Sequence, residues 1–448
     1  MVNNQLPKFP LFRSLGYTSG ALGYGLLDSL LGASLMYFYV SPENSSTVYV
    51  APAVFGLIML LGRGLDTIVD PLVAWWSDRT NSRRGRRVPF MLFGGVPLIL
   101  ALVFLYFPPV KGLSWINTAY LAGFLTIFFF FFSFYVCPHL ALIPELSRTR
   151  RERLGLTSFK GVFLLVGSII ATVFWAPLAG KFGYGGMAVI MGIIALVFVY
   201  FPVAVVDEKK YCESNICEMD FIKSLFATFK NRPFVIYLIG NITFWFGFNI
   251  IRTGVTYYIT VLLGLPKEAT MNYMAAVFGV TFLFIPVVNY ASRAVGKRNM
   301  MLILLGMFAV LLPCIAFLNA PWLPVPGPVA CYILLGLAGI PLAGLFIVPD
   351  AIVADMADYD EMLTGQRREA MYFGAQGFCQ KLTLGVSSFL MTVIFQQFGF
   401  TAAQPLGVQL TGPLAGFFAL IGGAAFLFFP KDIEKKVEQF RLGKENGE

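Results

Sequence analysis

The 448-residue chain is poor in charged residues, which make up 13% of it, and it contains a single histidine. Soluble domains carry roughly a quarter charged residues, whereas 57% of this chain is hydrophobic. A soluble protein of this length could not bury so much apolar surface in one core. Because lipid can solvate that surface, the composition predicts a polytopic membrane protein.

Histidine and cysteine are also too few and too scattered for a metal centre. Most of the six cysteines lie in apolar segments and are expected to act as small hydrophobic residues. Cys212 and Cys217 share a polar segment, but their spacing is not that of a zinc site. The sequence has no nucleophile–base set and no glycine-rich phosphate loop after a strand. It therefore predicts neither an enzyme nor a cofactor.

What the sequence has in abundance is long apolar runs. A membrane-spanning helix needs about 20 apolar residues, and the runs lack the alternation of barrel strands. The twelve predicted spans cover residues 15–40, 50–77, 88–108, 116–144, 155–179, 184–204, 234–263, 269–291, 299–319, 326–355, 370–397 and 409–429. The fold class is predicted to be an all-α integral membrane protein with twelve transmembrane helices.

A long polar segment divides the spans into two sets of six. We expect an N-terminal bundle at 1–204, a cytoplasmic central loop at 205–233, a C-terminal bundle at 234–429 and a cytoplasmic tail at 430–448. The segments "SDRTNSRRGRR" after span 2 and "ASRAVGKR" after span 8 form a weak internal repeat. Two pseudo-symmetric halves around a central path are typical of alternating-access transporters.

Lysine and arginine are concentrated on one side of the predicted bundles. They are frequent after the even-numbered spans and in the central loop, whereas the opposite side has only Lys111, Lys181 and Lys267. This asymmetry places both termini in the cytoplasm and accounts for the net charge of +9 without nucleic-acid binding. We expect a monomer in the cell membrane, surrounded by the lipid bilayer.

Span 2 carries three charged residues inside an apolar run. Asp66 and Asp70 are four residues apart and share one helix face with Arg63. Two close carboxylates cannot both remain ionised in a low-dielectric place without a counter-charge. We therefore predict a coupling site for a proton or a bound cation such as Na⁺, with Arg63 balancing the charge. The alternative is a fixed salt bridge that locks span 2 to a neighbour.

Other spans also contain polar residues that are costly in lipid. Asp28 in span 1 and Lys381 in span 11 lie deep in apolar runs and strengthen the hypothesis of a coupling site. Arg252 in span 7 lies nearer the outer end and is either a charge-balancing residue or an interfacial anchor. His139 is either a packed polar residue or a group that relays protons or contacts substrate.

Acidic residues and arginines at the cytoplasmic span ends predict a gate. Asp78 can pair with arginines in the loop after span 2, and similar combinations follow spans 4 and 10. A plain topology signal would also account for the arginines. The residues of this predicted gate are Asp78, Arg79, Arg86, Arg87, Glu145, Arg148, Asp355, Asp358 and Arg367.

Three segments resemble the glycoside–pentoside–hexuronide cation symporters, the melibiose-permease branch of the major facilitator superfamily. They are "GYGLLDSLLGASLMYFY", "DTIVDPLVAWWSDRTNSRRGRRVPF" and "VADMADYDEMLTGQRREAMYFGAQGFCQKL". The resemblance covers nearly the whole chain. It implies the major facilitator fold and the coupled transport of a small solute with Na⁺ or H⁺ by alternating access.

The resemblance also implies roles for individual side chains. Asp66 and Asp70 match the carboxylates that bind the coupling cation, Ser133 matches a hydroxyl that joins them, and Arg63 matches the span-2 arginine. Asp28 matches a carboxylate that grips substrate. The full set expected at or near the substrate is Asp28, Lys160, His139, Gln376 and Lys381.

Several positions depart from the family pattern. Val69 stands where sodium-coupled members have asparagine, so the coupling ion stays open between Na⁺ and H⁺. Val136 replaces a second substrate-gripping aspartate, and Leu140 and Phe346 replace tryptophans that stack on sugars. We expect a sugar, glycoside or related small solute as substrate. An amphipathic substrate such as a lysophospholipid is the alternative.

Overall fold

Helices dominate the part of the chain that the computed structural model describes. The described residues are 9–42, 48–147, 149–212, 228–365, 369–434, 436–437 and 439–440. Within them, β-structure is limited to two isolated bridges, Val40–Val48 and Thr401–Gln404. By their contacts the residues form two compact units, Met1–Glu218 and Met219–Glu448. Ten helices in these described ranges are long and apolar enough to cross a membrane.

The first unit contains six apolar helical segments. They are α1 (Leu11–Tyr39), α2 (Pro52–Arg79), α3 (Val88–Phe104), α4 (Trp115–Leu146), and α5 (150–182) and α6 (184–205), which are the two parts of Arg150–Val205. Gly183 separates α5 from α6, because its φ of 72° belongs to the left-handed region that glycine alone adopts without strain. The predicted spans 5 and 6 thus join at a single bent residue.

The second unit also contains six apolar segments. They are α7 (Arg232–Leu262), α8 (Lys267–Val295), α9 (Lys297–Phe317), α10 (Gly327–Thr364), α11 (Glu369–Phe398) and α12 (Leu406–Leu427). The helix α10 is interrupted between Leu345 and Val348, where it divides into Gly327–Leu345 and Val348–Thr364.

Two predicted span ends differ from the structure. Span 3 is predicted to reach residue 108, but α3 ends at Phe104. Pro108 and Pro109 follow shortly after, and they lack the backbone N–H groups that a continuing helix needs. Span 10 was expected to end at residue 355, but α10 continues to Thr364 and ends at Gly365, whose φ is 68°. Asp358, which lies beyond the predicted span, therefore belongs to the same helix as Asp355.

Small residues allow the helices of each unit to approach closely, as in other membrane bundles. In the first unit α1 packs on α5 and α6. A Cβ added to Gly167 would lie 2.3 Å from the carbonyl oxygen of Leu22. In the second unit α7 packs on α12, and Gly240 faces the ring of Phe426.

The helix pairings of the first unit recur in the second. In the first, α4 packs against α2 and α3; in the second, α10 packs against α8 and α9. Likewise α1 packs on α5 and α6, and α7 packs on α11 and α12. This repetition agrees with the predicted fold class of two related six-helix bundles.

Candidate coupling and substrate site

The charged residues of α2 lie on the side of that helix that packs against α4. Gly62 meets the ring of Phe129, so the two helices are in close contact at this level. Two to three turns further along α2, Val69 and Val73 belong to a small apolar core with Phe90 of α3. The contact between α2 and α4 places the two aspartates of α2 opposite polar side chains of α4.

Ser133 of α4 lies between the two carboxylates of α2. Its Oγ is 2.8 Å from Oδ1 of Asp66 and 2.7 Å from Oδ1 of Asp70. Asp66 and Ser133 are both fully buried. The Sγ of Cys137, one turn further along α4, lies 3.1 Å from the same oxygen of Asp70. The structure thus brings together the three residues predicted to bind the coupling cation and adds a thiol that sequence reasoning had missed.

The single hydrogen of the Ser133 hydroxyl limits how many of the nearby carboxylate oxygens can accept a hydrogen bond from it. A serine hydroxyl carries one hydrogen and can donate to one acceptor only. It cannot donate to Asp66 and Asp70 together, although both oxygens are at hydrogen-bond distance. A proton on a carboxyl group or a cation that the oxygens share would account for the second short contact.

Arg63 links this bridge to α1. Its Nη2 donates to Oδ1 of Asp28 at 2.5 Å, and its Nη1 lies 3.7 Å from Oδ2 of Asp66. The guanidinium also lies 4.7 Å from the centre of the Phe129 ring. Arg63 is only 2% exposed, and a buried cation is stable only when nearby groups balance its charge. One guanidinium therefore connects the carboxylate predicted to grip substrate with a carboxylate predicted to bind the cation.

His139 lies in a buried aromatic cluster of the first unit. Its ring stacks on Tyr17, with ring centres 4.5 Å apart, and lies near Tyr135 and Tyr24. The Tyr17 hydroxyl donates to the carbonyl of His139. Lys160, which is also expected near the substrate, is close enough to His139 to interact with it electrostatically. The stacking contacts agree with a packed residue, but both ring nitrogens of His139 are buried without a hydrogen-bond partner among the described residues, so the two predicted roles stay open.

Gln376 of α11 is held by two polar neighbours in the second unit. Its Nε2 donates to Oδ1 of Asp350 at 3.0 Å, and its Oε1 accepts from the hydroxyl of Tyr237 at 2.7 Å. Lys381 lies on the same helix five residues later and is half-buried. The amide orientation of Gln376 is therefore determined by α7 and α10.

Arg252 of α7 is buried, with 6% of its surface exposed. Its Nη2 donates to Oδ1 of Asn249 at 3.0 Å, and the amide nitrogen of Asn249 lies 2.6 Å from the Ser387 hydroxyl on α11. An interfacial anchor would extend its guanidinium into the headgroup region. The burial of Arg252 favours the alternative in which it is a charge inside the protein.

Four of the predicted gate residues form one ion-pair network in the first unit. Arg87 pairs with Asp78 at 2.8 Å and with Glu145 at 2.9 Å. Arg86 pairs with the same Glu145 oxygen at 3.0 Å. Because Asp78 ends α2 and Glu145 ends α4, the two arginines before α3 connect the ends of both helices.

Glu208 completes this network, although sequence reasoning did not include it. Its carboxylate accepts hydrogen bonds from the backbone N–H groups of Arg86, Arg87 and Val88 at 2.8, 2.9 and 3.1 Å. These N–H groups belong to the two residues before α3 and to its first residue, so Glu208 caps the start of that helix. Gly85 has a φ of 104° and leaves no room for a side chain beside the Glu208 carboxylate. More than a hundred residues separate the partners, so no local pattern indicates the contact.

A related arrangement occurs in the second unit. Lys297, at the start of α9, pairs with Asp355 of α10 at 2.5 Å. Glu434, which follows α12, accepts from the backbone N–H of Lys297 at 3.2 Å and lies against Gly296, whose φ is 83°. Glu434 thus contacts the start of α9 as Glu208 contacts the start of α3.

The remaining predicted gate residues are not placed in these networks. The guanidinium of Arg79 lies 4.1 Å from the centre of the Trp75 ring on its own helix. Asp358 lies in the last turns of α10. Arg148 and Arg367 lie outside the described residues.

Comparison with known proteins agrees with this architecture. A family model described as "MFS/sugar transport protein" matches residues 16–429. The isoprimeverose transporter of Lactiplantibacillus pentosus is 23% identical, and the match covers 96% of this chain and 90% of that protein. The sodium-dependent lysophosphatidylcholine symporter 1 of Gallus gallus is 22% identical, with coverage of 95% and 87%.

A solved structure has the same fold. A bacterial homolog of the human lysosomal transporter Spinster, in an inward-facing and unoccupied conformation, superposes with a TM-score of 0.70 at 13% identity. The match covers 95% of this chain and 98% of the other. The family match confirms the predictions of a multi-pass membrane transporter and of a protein that is not an enzyme. The chain belongs to the MFS/sugar transport protein family of the major facilitator superfamily.

Proposed function

We propose that this protein is a cation-coupled symporter of a sugar, glycoside or related small solute. The observation that carries the proposal is the buried bridge of Ser133 between the carboxylates of Asp66 and Asp70. A buried pair of acids needs a positive charge to remain stable, and a transporter can use the entry of that charge as its driving force. The relative named as an isoprimeverose transporter supports a sugar as the solute.

The link through Arg63 supplies a route from cation to solute. Arg63 is shared between Asp28 at 2.5 Å and Asp66 at 3.7 Å. When a cation neutralises the two aspartates of α2, Asp66 attracts Arg63 less strongly. The guanidinium then strengthens its existing ion pair with Asp28. Asp28 is then held in one orientation for the hydroxyl groups of a solute. By thermodynamic linkage, solute binding must strengthen cation binding by the same factor.

The surroundings of the bridge favour a proton over a metal cation. Hard cations are held by several oxygen ligands, but the thiol of Cys137 lies against Asp70, and Val69, next to Asp70 in the chain, offers no oxygen ligand from its side chain. Sulfur is a soft ligand that suits other metals. The Thr67 hydroxyl donates to the carbonyl of Arg63 at 2.7 Å. A proton needs no such ligand shell and satisfies the hydrogen count of Ser133.

The lysine and arginine asymmetry of the chain supports a cell-membrane protein with both termini in the cytoplasm. In that orientation the networks of Arg87 and of Lys297 lie at the cytoplasmic ends of their helices, where they act as a gate. We expect the protein to work as a monomer.

The substitution Asp66→Asn tests the coupling. It keeps the shape of the side chain but removes its ability to bind a proton or a metal cation. In proteoliposomes we expect the variant to exchange labelled solute across the membrane but to lose accumulation against a gradient. Isoprimeverose, other labelled sugars and lysophosphatidylcholine form the panel of solutes. Asp432→Asn, at an exposed carboxylate after α12, is the control and should accumulate solute like the parent.

Separate ion gradients test the choice of ion. A pH gradient alone should drive uptake into parent vesicles, whereas a Na⁺ gradient at equal pH should not. Uptake driven by a Na⁺ gradient alone would show that Na⁺ and not the proton is the coupling ion. The proposed symport would still hold. If the Asp66→Asn variant accumulates solute as well as the parent, Asp66 is not part of a coupling site. If the parent accumulates lysophosphatidylcholine but no sugar, the solute is the amphipathic alternative and not a sugar.

A further inference from the structure

A stripe of polar and aromatic side chains follows one face of α7. Asn241, Trp245, Phe248 and Arg252 succeed one another at intervals of four, three and four residues, so they share one side of the helix. The ring centres of Trp245 and Phe248 are 5.6 Å apart, and the Arg252 guanidinium lies 5.9 Å from the centre of the Phe248 ring. We call these four residues the α7 stripe.

A different side of α7 packs against α9 and α12 of the second unit. Gly240 faces the ring of Phe426 on α12, and Gly247 faces Phe308 on α9. A third side carries Asn249, which contacts α11. The α7 stripe is therefore distinct from the surfaces by which α7 is held against these three helices.

Asn241 and Trp245 of the stripe have polar atoms that are buried without a hydrogen-bond partner among the described residues. Asn241 is fully buried, yet neither its amide nitrogen nor its amide oxygen is paired. The indole nitrogen of Trp245 is also buried and unpaired. Leaving such groups unpaired is costly, and most buried polar groups in native proteins have partners.

Asn249 shows that the same helix can satisfy a buried amide. It is 2% exposed, its Oδ1 accepts from Arg252 at 3.0 Å, and its Nδ2 lies 2.6 Å from the Ser387 hydroxyl. The two asparagines of α7 are equally buried but differ in their partners. The described residues therefore leave the hydrogen-bonding capacity of Asn241 unused, whereas they use that of Asn249.

We propose that the α7 stripe is a binding surface for the transported solute and that this solute is a polyhydroxylated ring. The proposal rests on the proposed function, in which a small solute is moved by symport. An amide both donates and accepts hydrogen bonds, as a sugar hydroxyl does. The aromatic rings of Trp245 and Phe248 offer apolar faces for the C–H groups of a sugar ring. A mixture of apolar rings and a few polar groups is the usual lining of a small-molecule site.

The stripe also gives a reason for selectivity. A site that hydrogen-bonds a hydroxyl group rejects an analogue without it, because the buried groups of the site are then left unpaired. Asn241 and Trp245 therefore favour a hydroxylated ring over an acyl chain. Arg252 adds a guanidinium at one end of the stripe.

Paired leucine substitutions separate a solute-binding asparagine from a structural one. Leucine has the same branched arrangement of four side-chain heavy atoms as asparagine but is larger and has no polar atoms. Asn241→Leu removes an unpaired amide, so we expect the purified, full-length variant to melt at the same temperature as the parent or higher. Asn249→Leu removes an amide with several partners, so its melting temperature should fall. A fall of equal size in both variants would show that Asn241 is structural and would overturn the proposal.

Transport by the same variants gives the second measurement. With the labelled sugar that the parent accumulates best, Asn241→Leu should raise the half-saturation concentration at least about tenfold, equivalent to about 1.4 kcal/mol. Trp245→Phe keeps a ring but loses the indole N–H, so its effect should be smaller. The Asn241→Leu variant should still respond to the coupling-ion gradient, because Asp66 is intact.

The outcomes distinguish the two proposals. Suppose that the parent accumulates sugar and that Asn241→Leu has the same half-saturation concentration. The α7 stripe would then not bind the solute, but the proposed symport would still hold. A parent that moves no sugar of the panel would overturn the proposed solute and the stripe together. Loss of coupling in Asn241→Leu with an unchanged half-saturation concentration would also contradict the stripe.

Discussion

At the scale of single residues, Arg63 is a buried cation that depends on nearby carboxylates to balance its charge. It is 2% exposed, and its partners Asp28 and Asp66 come from two different helices. The Phe129 ring below the guanidinium adds a cation–π contact. Removing one member of a buried ion pair leaves the other charge without compensation, which is costly. Arg63 therefore supports the fold as well as the proposed coupling.

The substitution Arg63→Ala should destabilise the protein by about 3 to 5 kcal/mol, because it leaves two carboxylates without their cation. The melting temperature of the purified protein measures the effect. Arg79→Ala, at the exposed end of the same helix, is the matched control and should cost less than about 0.5 kcal/mol. Equal melting temperatures for the two variants would contradict the structural role of Arg63.

At the scale of elements, each unit ties the start of its third helix to the segment that follows its sixth. In the first unit Glu208 accepts three backbone hydrogen bonds at the start of α3. In the second, Glu434 accepts one, from Lys297 at the start of α9. A carboxylate at a helix start pairs with unsatisfied N–H groups and with the positive end of the helix dipole. The first contact should therefore contribute more than the second.

The substitution Glu208→Gln should lower the stability of the first unit by about 1 to 3 kcal/mol, because the amide offers one acceptor oxygen and no charge. Hydrogen exchange should be faster within the set of backbone amides of Arg86, Arg87 and Val88, since the single glutamine oxygen cannot replace both carboxylate oxygens. Glu434→Gln, which removes one contact, is the control and should produce a smaller change. Unaltered exchange at the start of α3 would show that the Glu208 contact is unimportant.

At the scale of the whole molecule, each of the two units has its own set of helix contacts. Met1–Glu218 and Met219–Glu448 each contain six apolar segments with the same internal pairings. Close glycine contacts, such as Gly167 on Leu22 and Gly240 on Phe426, join helices of one unit. Most of the packing that specifies each bundle therefore comes from the sequence of that bundle.

Separate expression of the two units tests this independence. The fragments 1–218 and 219–448, produced in the same cell, should each insert in the membrane and should together restore solute accumulation. The fragment 1–218 with Gly167→Leu is the control, because the new side chain would meet the Leu22 carbonyl and should prevent α5 from packing on α1. Degradation of both unaltered fragments would show that neither bundle folds by itself.

Properties that depend on neighbouring residues were predictable from the sequence. The apolar runs predicted the membrane helices, since the length of a run decides whether it can span a bilayer. The helical period placed Asp66, Asp70 and Arg63 on one face of α2. The predicted ends of spans 3 and 10 were less accurate, because proline at residue 108 and a left-handed glycine at residue 365 outweigh hydropathy there.

Partners that are distant in the chain were decided by the tertiary structure. Ser133 was matched to the aspartates only through the family resemblance, and the contact of Cys137 with Asp70 was not expected. The sequence does not indicate that Glu208 caps α3, or that Asn249 finds partners while Asn241 has none. The reason is physical: hydropathy and helical period depend on residues within a few turns, whereas a hydrogen bond between helices depends on how those helices pack.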